Sequence, residues 1–179
     1  MDGQIREVDI IVCATGFDTT NTPRWPTVGR NNADLGTEIS KRGFSLAYMS
    51  IAMDNFPNYF MQTGPNFSVG NGNMIIVFER INDYFVKCIQ KIQREGIKSM
   101  VVKKEAVEDF YEFTEAYFPK TVYAQNVTPP ECGTKLECSS WFKIGKDGRI
   151  NQLWPGSALH EYVTFTLPPR YSRGENLTD

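Results

Sequence analysis

His160 is the only histidine in the chain, and histidine is the side-chain type whose ordinary titration lies closest to neutral pH. Asp54, Glu79 and Glu161 can serve as acid or base where burial shifts them. Tyr48, Tyr123 and Tyr162 can donate a proton or a hydrogen bond to a substrate carbonyl. Within this set His160, Asp54 and Tyr48 are the expected catalytic residues, for general acid–base work on a small molecule. The plainer alternatives are a structural hydrogen bond for a lone histidine and solvated or capping roles for the carboxylates. A second feature is the glycine-rich turn at residues 64–72, which opens onto a strongly periodic segment. There Gly64, Pro65, Asn71 and Asn73 can offer N–H groups at a helix N-terminus to an anion or a carbonyl oxygen. Helix capping is the alternative, because Asn is a strong N-cap. No metal is expected: Cys132 and Cys138 could be half of a zinc site, but they lack CxxC spacing and one histidine cannot complete the set.

The elements that position these residues follow from periodicity and turn chemistry. Residues 8–16, Val-Asp-Ile-Ile-Val-Cys-Ala-Thr-Gly, read as a buried strand that runs into a small-residue turn and needs partners on both sides. Residues 18–40 are rich in Asn, Thr, Pro and Gly and read as loop. Residues 46–53 and 59–63 read as a hairpin-like or crossover pair of short strands about the turn at 54–58. From Asn73 to about Arg94, apolar residues recur at Met74, Val77, Phe78, Ile81, Tyr84, Phe85, Cys88, Ile89 and Ile92, the rhythm of an amphipathic helix that Glu95-Gly96 ends. A short strand is expected at 100–102, and a second helix at 104–118, stopped by Pro119. A long loop follows from 120 to about 140, either functional or tied down by side chains. Asp147-Gly148 signals a hairpin turn between 141–144 and 149–154. No internal repeat is present.

The chain has 179 residues, 41% of them hydrophobic and 22% charged, with a formal net charge of −2. These values predict one soluble globular domain over residues 1–179. They argue against nucleic-acid binding, because the basic residues are interleaved with acids, as in Lys103-Lys104-Glu105, rather than clustered against phosphate. No apolar run approaches the roughly 18 residues of a membrane span, and Met1-Asp2-Gly3-Gln4 is not a signal peptide. A cytoplasmic location with free thiols is therefore expected. The 12 Phe, 8 Tyr and 3 Trp favour a site for an apolar small molecule.

The run from Asp9 to Asp18, Asp-Ile-Ile-Val-Cys-Ala-Thr-Gly-Phe-Asp, resembles the "ATG" segment of the class B flavoprotein monooxygenases, the Baeyer-Villiger monooxygenases in particular. Further similar segments follow in the family's order: Phe56 to Met61, Gly64-Pro65 through Asn73-Met74, Cys138 to Phe142, and Trp154 to His160. Together they cover nearly the whole chain and resemble the C-terminal third of these enzymes, especially fungal members from secondary metabolism. The fold implied is α/β or α+β: a partial flavoprotein-like domain with short strands, one long and one shorter helix, a long C-terminal loop and a hairpin. The family's two GxGxxG motifs, for FAD and for NADPH, do not occur in this sequence, nor does the arginine the family places before the ATG segment. The chain alone is thus expected to bind no cofactor, with FAD and NADPH used only if a partner chain supplies the missing parts.

By the same resemblance, Met74, Asn73, Trp141, Phe142 and Trp154 are the expected substrate-binding residues, in a pocket near His160; the plainer alternative is core packing, for Met74 at the start of a helix and for Trp141 in a strand. The leading expectation for function is a cofactor-independent biosynthetic enzyme, carrying out cyclisation, isomerisation, dehydration or rearrangement of an apolar metabolite. The alternatives are one part of an FAD/NADPH-dependent monooxygenase and a non-catalytic accessory or binding protein. Ile10, Val12, Ile76 and Phe78 are expected to lie uncovered, and a homodimer is expected to cover them.

Overall fold

The computed structural model describes residue 5 and residues 7–16, 18–124, 141–144 and 148–166. Phe17, Cys132, Cys138, Ser139, Ser140, Asp147 and the expected loop beyond residue 124 lie outside the described residues. Four helices, α1 (Leu35–Arg42), α2 (Met74–Glu95), α3 (Lys104–Tyr117) and α4 (Ala158–Thr166), accompany a two-stranded antiparallel ladder of β1 (Lys143–Ile144) and β2 (Arg149–Ile150). The mixture of helices with short antiparallel strands is the architecture expected from the sequence.

The long helix begins where its cap requires. The Asn73 side chain accepts the Ile75 N–H at 2.9 Å, satisfying a donor that the first helical turn leaves unpaired. Its apolar strip buries Val77, Ile81 and Cys88, and α4 packs along it. The two helices run side by side in the same direction, since Gly72 meets Ala158, Arg80 lies over Tyr162 and Tyr84 meets Phe165 edge-on. The main core joins this pair to Met49, Ile51, Phe67, Val69 and Trp154. A second cluster gathers Leu35, Ile39, Ala47, Met53 and Phe56, and a third gathers Phe118, Ile150 and Leu153.

The hairpin pairs Lys143 with Ile150 and Ile144 with Arg149. Beyond it the chain continues beside residues 66–68: Asn66 N–H donates to Asn151 O at 2.8 Å, Ser68 N–H to Gln152 O at 2.7 Å and Trp154 N–H to Ser68 O at 2.8 Å. This parallel pairing fixes the glycine-rich turn next to the hairpin, and the Asn66 amide reinforces it by donating to Leu153 O at 3.0 Å. Arg149 supplies a separate clamp. Its guanidinium lies 3.8 Å from the Phe44 ring centroid and 4.3 Å from that of Tyr111, and it pairs with Glu115 at 3.0 Å. The hairpin is thereby tied to α3 and to the segment after α1.

Several local expectations are corrected. Residues 8–16 form no strand: Ile10, Ile11 and Val12 are 80%, 77% and 85% exposed, and no described segment offers a ladder to pair with. Residues 18–40 are not all loop, because α1 starts at Leu35, capped by the Asp34 carboxylate, which accepts the Thr37 N–H at 2.8 Å. That hydrogen bond also holds the Asp34 carboxyl below its usual range. Residues 46–63 make isolated bridges, Tyr48 with Ala52 and Ala52 with Phe60, rather than strands, since Met49, Ser50, Asn55 and Asn58 adopt left-handed backbone that breaks the extended course. Met100 is tied by its N–H to the Asn58 side chain at 2.9 Å and belongs to no strand. Residues 158–166, without an assignment from sequence, form α4. Phe78 is covered, stacked on Phe67 at 5.2 Å, whereas Ile76 is exposed as expected.

Candidate functional site

The first core cluster brings together four of the residues singled out from the sequence. Met74 and Tyr48 pack against it, Trp154 lies inside it, and His160 is bonded to Trp154. Burial pushes the Tyr48 hydroxyl above its ordinary range. Trp154 is 3% exposed, its ring between Phe110 at 5.5 Å and Phe165 at 6.0 Å. Asp54 stands apart, half-buried on the turn between Met53 and Phe56 of the second cluster. Phe142 packs on the third cluster, edge-on to Tyr123 at 5.6 Å. Trp141 precedes it, 54% exposed. Glu79 is exposed and Tyr162 half-buried.

His160 is exposed, and its geometry sets its chemistry. The Trp154 indole N–H donates to His160 Nδ1 at 3.1 Å. Indole can only donate, so the neutral imidazole carries its proton on Nε2. The ring also leans on Phe113 at 6.3 Å between centroids. Gly156 makes this arrangement possible: a Cβ there would collide with Nδ1. The helix carrying His160 is capped by Ser157, whose hydroxyl accepts the His160 N–H at 3.1 Å. Pro155-Gly156-Ser157, a stop followed by a small residue and a capping residue, is the sequence signal for this start, which the β-branched and aromatic content of 158–166 obscures.

Glu161, the neighbour of His160, faces the other way. It is fully buried, neither carboxylate oxygen has a hydrogen-bond partner, and desolvation raises its pKa to about 8. A helical rotation of about 100° per residue separates the two side chains, so one reaches solvent while the next enters the core.

The glycine-rich turn does not form a phosphate cradle. The Asn73 side chain occupies a donor at the start of α2, and Gly64 and Pro65 are buried. Gly72 lies close to α4, since a Cβ on it would lie 2.8 Å from the Ala158 Cβ, while Gly70, Asn71 and Gly72 are exposed. Of the two readings of Asn73, capping is the one its side chain performs. Among the described elements no strand leads into this turn, whereas an FAD pyrophosphate site needs a strand, a glycine turn and open helix N–H groups in sequence. Among the described residues no group of three or more His, Cys, Asp or Glu could hold a metal ion, and no helix is long and apolar enough to cross a membrane.

The chain is 32% identical over 170 residues to the FAD-binding monooxygenase moxY of Dothistroma septosporum, covering 95% of this chain and 25% of that protein. The chain matches a partial region of the Baeyer-Villiger-type FAD-binding monooxygenases. The FAD-binding monooxygenase stcW of Emericella nidulans is likewise 32% identical over 95% of this chain and 26% of its own length. For tazF of Aspergillus terreus, also named an FAD-binding monooxygenase, identity is 34% over 86% of this chain and 26% of that protein. The chain thus spans about a quarter of the length of these relatives. Among solved structures, a mutant cyclohexanone monooxygenase from Rhodococcus sp. Phi1 bound to NADP+ superposes with a TM-score of 0.66, covering 92% of this chain and 28% of that one at 22% identity. An oxidised steroid monooxygenase bound to NADP gives 0.60 at 21% identity, over 78% of this chain and 24% of that one. These likenesses show a shared fold. No family model matches the chain.

Proposed function

We propose that this chain forms one portion of an FAD-binding monooxygenase acting on an apolar small molecule, with FAD and NADPH held by segments other than the residues described above. The observation that carries this reading is the run at residues 8–16. It is apolar and strand-forming in composition, yet it is exposed and unpaired, and a strand's backbone groups need a neighbouring ladder. The 25% coverage of moxY by a chain that matches it over 95% of its own length supports the same reading. Met74, Trp141 and Phe142 are then residues of the substrate side, and the redox chemistry belongs to the flavin. The test is the absorbance and elution of the purified chain with FAD, alone and mixed with a polypeptide carrying the FAD- and NADPH-binding parts of a relative. The expected result is no stoichiometric flavin in the chain alone and a yellow co-eluting complex in the mixture. Flavin retained by the chain alone, or failure to co-elute, overturns the proposal. A native mass of two chains with residues 8–16 protected from hydrogen exchange would replace it with a homodimer.

A second reading rests on His160. With Nδ1 held by Trp154, the imidazole presents a fixed Nε2–H donor at the surface, as a cofactor-independent acid–base enzyme of apolar metabolites requires. Flavin-free turnover lost in His160→Ala supports this reading, and turnover unaffected by that change removes it.

A further inference from the structure

Glu161 is the one carboxyl among the described residues that combines full burial with two unpartnered oxygens. It lies on the face of α4 that meets α2, one turn before Phe165, which is also fully buried. Phe165, on the same face of α4, belongs to the main cluster with Val77 and Ile81 from α2. No charge there answers it. Of the ionisable groups that α2 carries along this contact, Arg80 is paired with Asp83 at 2.9 Å, Tyr84 meets Phe165 edge-on, and Cys88 is a buried thiol. Tyr48 approaches the cluster from the preceding segment and α3 reaches it through Phe110. On α4 itself, His160 is bonded to Trp154. None of these groups bonds Glu161.

We propose that α4 docks on α2 most tightly with Glu161 in its neutral, protonated form, so that loss of this proton weakens the docking of α4 and uncovers the apolar face of α2 more often. A carboxylate without a partner in an apolar contact is far costlier than a neutral acid. The direction of the pH dependence follows from linkage. The docked state holds the proton up to about pH 8, against an ordinary value of 4.5, so the docked state binds more protons throughout that interval. Docking is therefore strongest below the ordinary range, weakens as pH rises through the interval, and levels off near pH 8, where both states are ionised. Between these limits the docking equilibrium falls about tenfold per pH unit.

The test is amide hydrogen exchange of the purified chain from pH 5 to pH 9, corrected for the intrinsic rate. Protection of α4 amides should fall about tenfold per unit up to about pH 8 and then flatten, while amides of α3 around Val107 and Thr114 keep theirs. In Glu161→Gln the α4 dependence should vanish. Equal loss in Glu161→Gln, no loss in the unmodified chain, or simultaneous loss in α3 overturns the proposal. If Glu161→Gln does not fold, the carboxyl carbon of Glu161 in the unmodified chain, followed by NMR, still decides. A midpoint near pH 8 supports the neutral buried acid, and one below pH 5 removes it.

Discussion

Residues 8–16 and the helix α2 are both apolar runs, and they fare differently. In α2 the backbone N–H groups beyond the first turn find their partners within the segment and Asn73 caps the Ile75 N–H, so the run needs mainly a cover for its side chains, and α4 and the main cluster provide it. In residues 8–16 the β-branched pattern asks for hydrogen bonds to a neighbouring strand, and no described strand pairs with it. The helix finds its backbone partners along its own segment, whereas the strand-forming run finds none among the described residues. A helical segment therefore survives the loss of neighbours better than a strand of equal hydrophobicity.

The sharpest way to break that comparison is to damage the cover of α2. Phe165→Ala removes a fully buried ring that touches Tyr84 and Trp154, and it should destabilise the chain by about 3–5 kcal/mol in denaturant unfolding. A loss below about 1 kcal/mol would mean that α4 contributes little to holding the core. Next in size is the end of α2. Asn73→Ala removes the cap on Ile75 N–H and should cost about 1 kcal/mol, read from the same titration, with Asn73→Ser largely restoring it. Smallest is the exposed run. Val12→Ala should change the stability of the chain alone by no more than about 0.5 kcal/mol. The same change should weaken co-elution with flavin-binding segments, which separates a surface awaiting a partner from one that is merely exposed.

Legibility from sequence followed the range of the forces involved. The bounds of α2 and α3 were readable to about one residue, because their apolar rhythm and their end signals, Asn73, Gly96 and Pro119, are local. The helix α1 hid in a stretch rich in Asn, Thr and Gly, although Asp34 before Thr37 and Lys41-Arg42-Gly43 at the end are cap and stop signals. The helix α4 hid behind Val163, Thr164 and Thr166, strand-favouring residues overridden by packing on α2. The strand expected at 8–16 failed for the opposite reason, since its composition was right but pairing is not a property of one segment.

For the candidate site, the types of the residues were plain and their surroundings were not. His160 stands out as the only histidine, yet its fixed tautomer depends on Trp154 and on the close approach allowed by Gly156. Glu161 was one carboxylate among several, and its burial without a partner arises in a helix packed against α2. The sequence by itself determined the periodic helices, their caps, and the likeness to flavoprotein monooxygenases, because these depend on neighbours along the chain. The tertiary structure alone decided which acid is buried, which ring holds the histidine and which apolar run stays uncovered. Burial is a sum over contacts between segments far apart in sequence, and no local pattern records that sum.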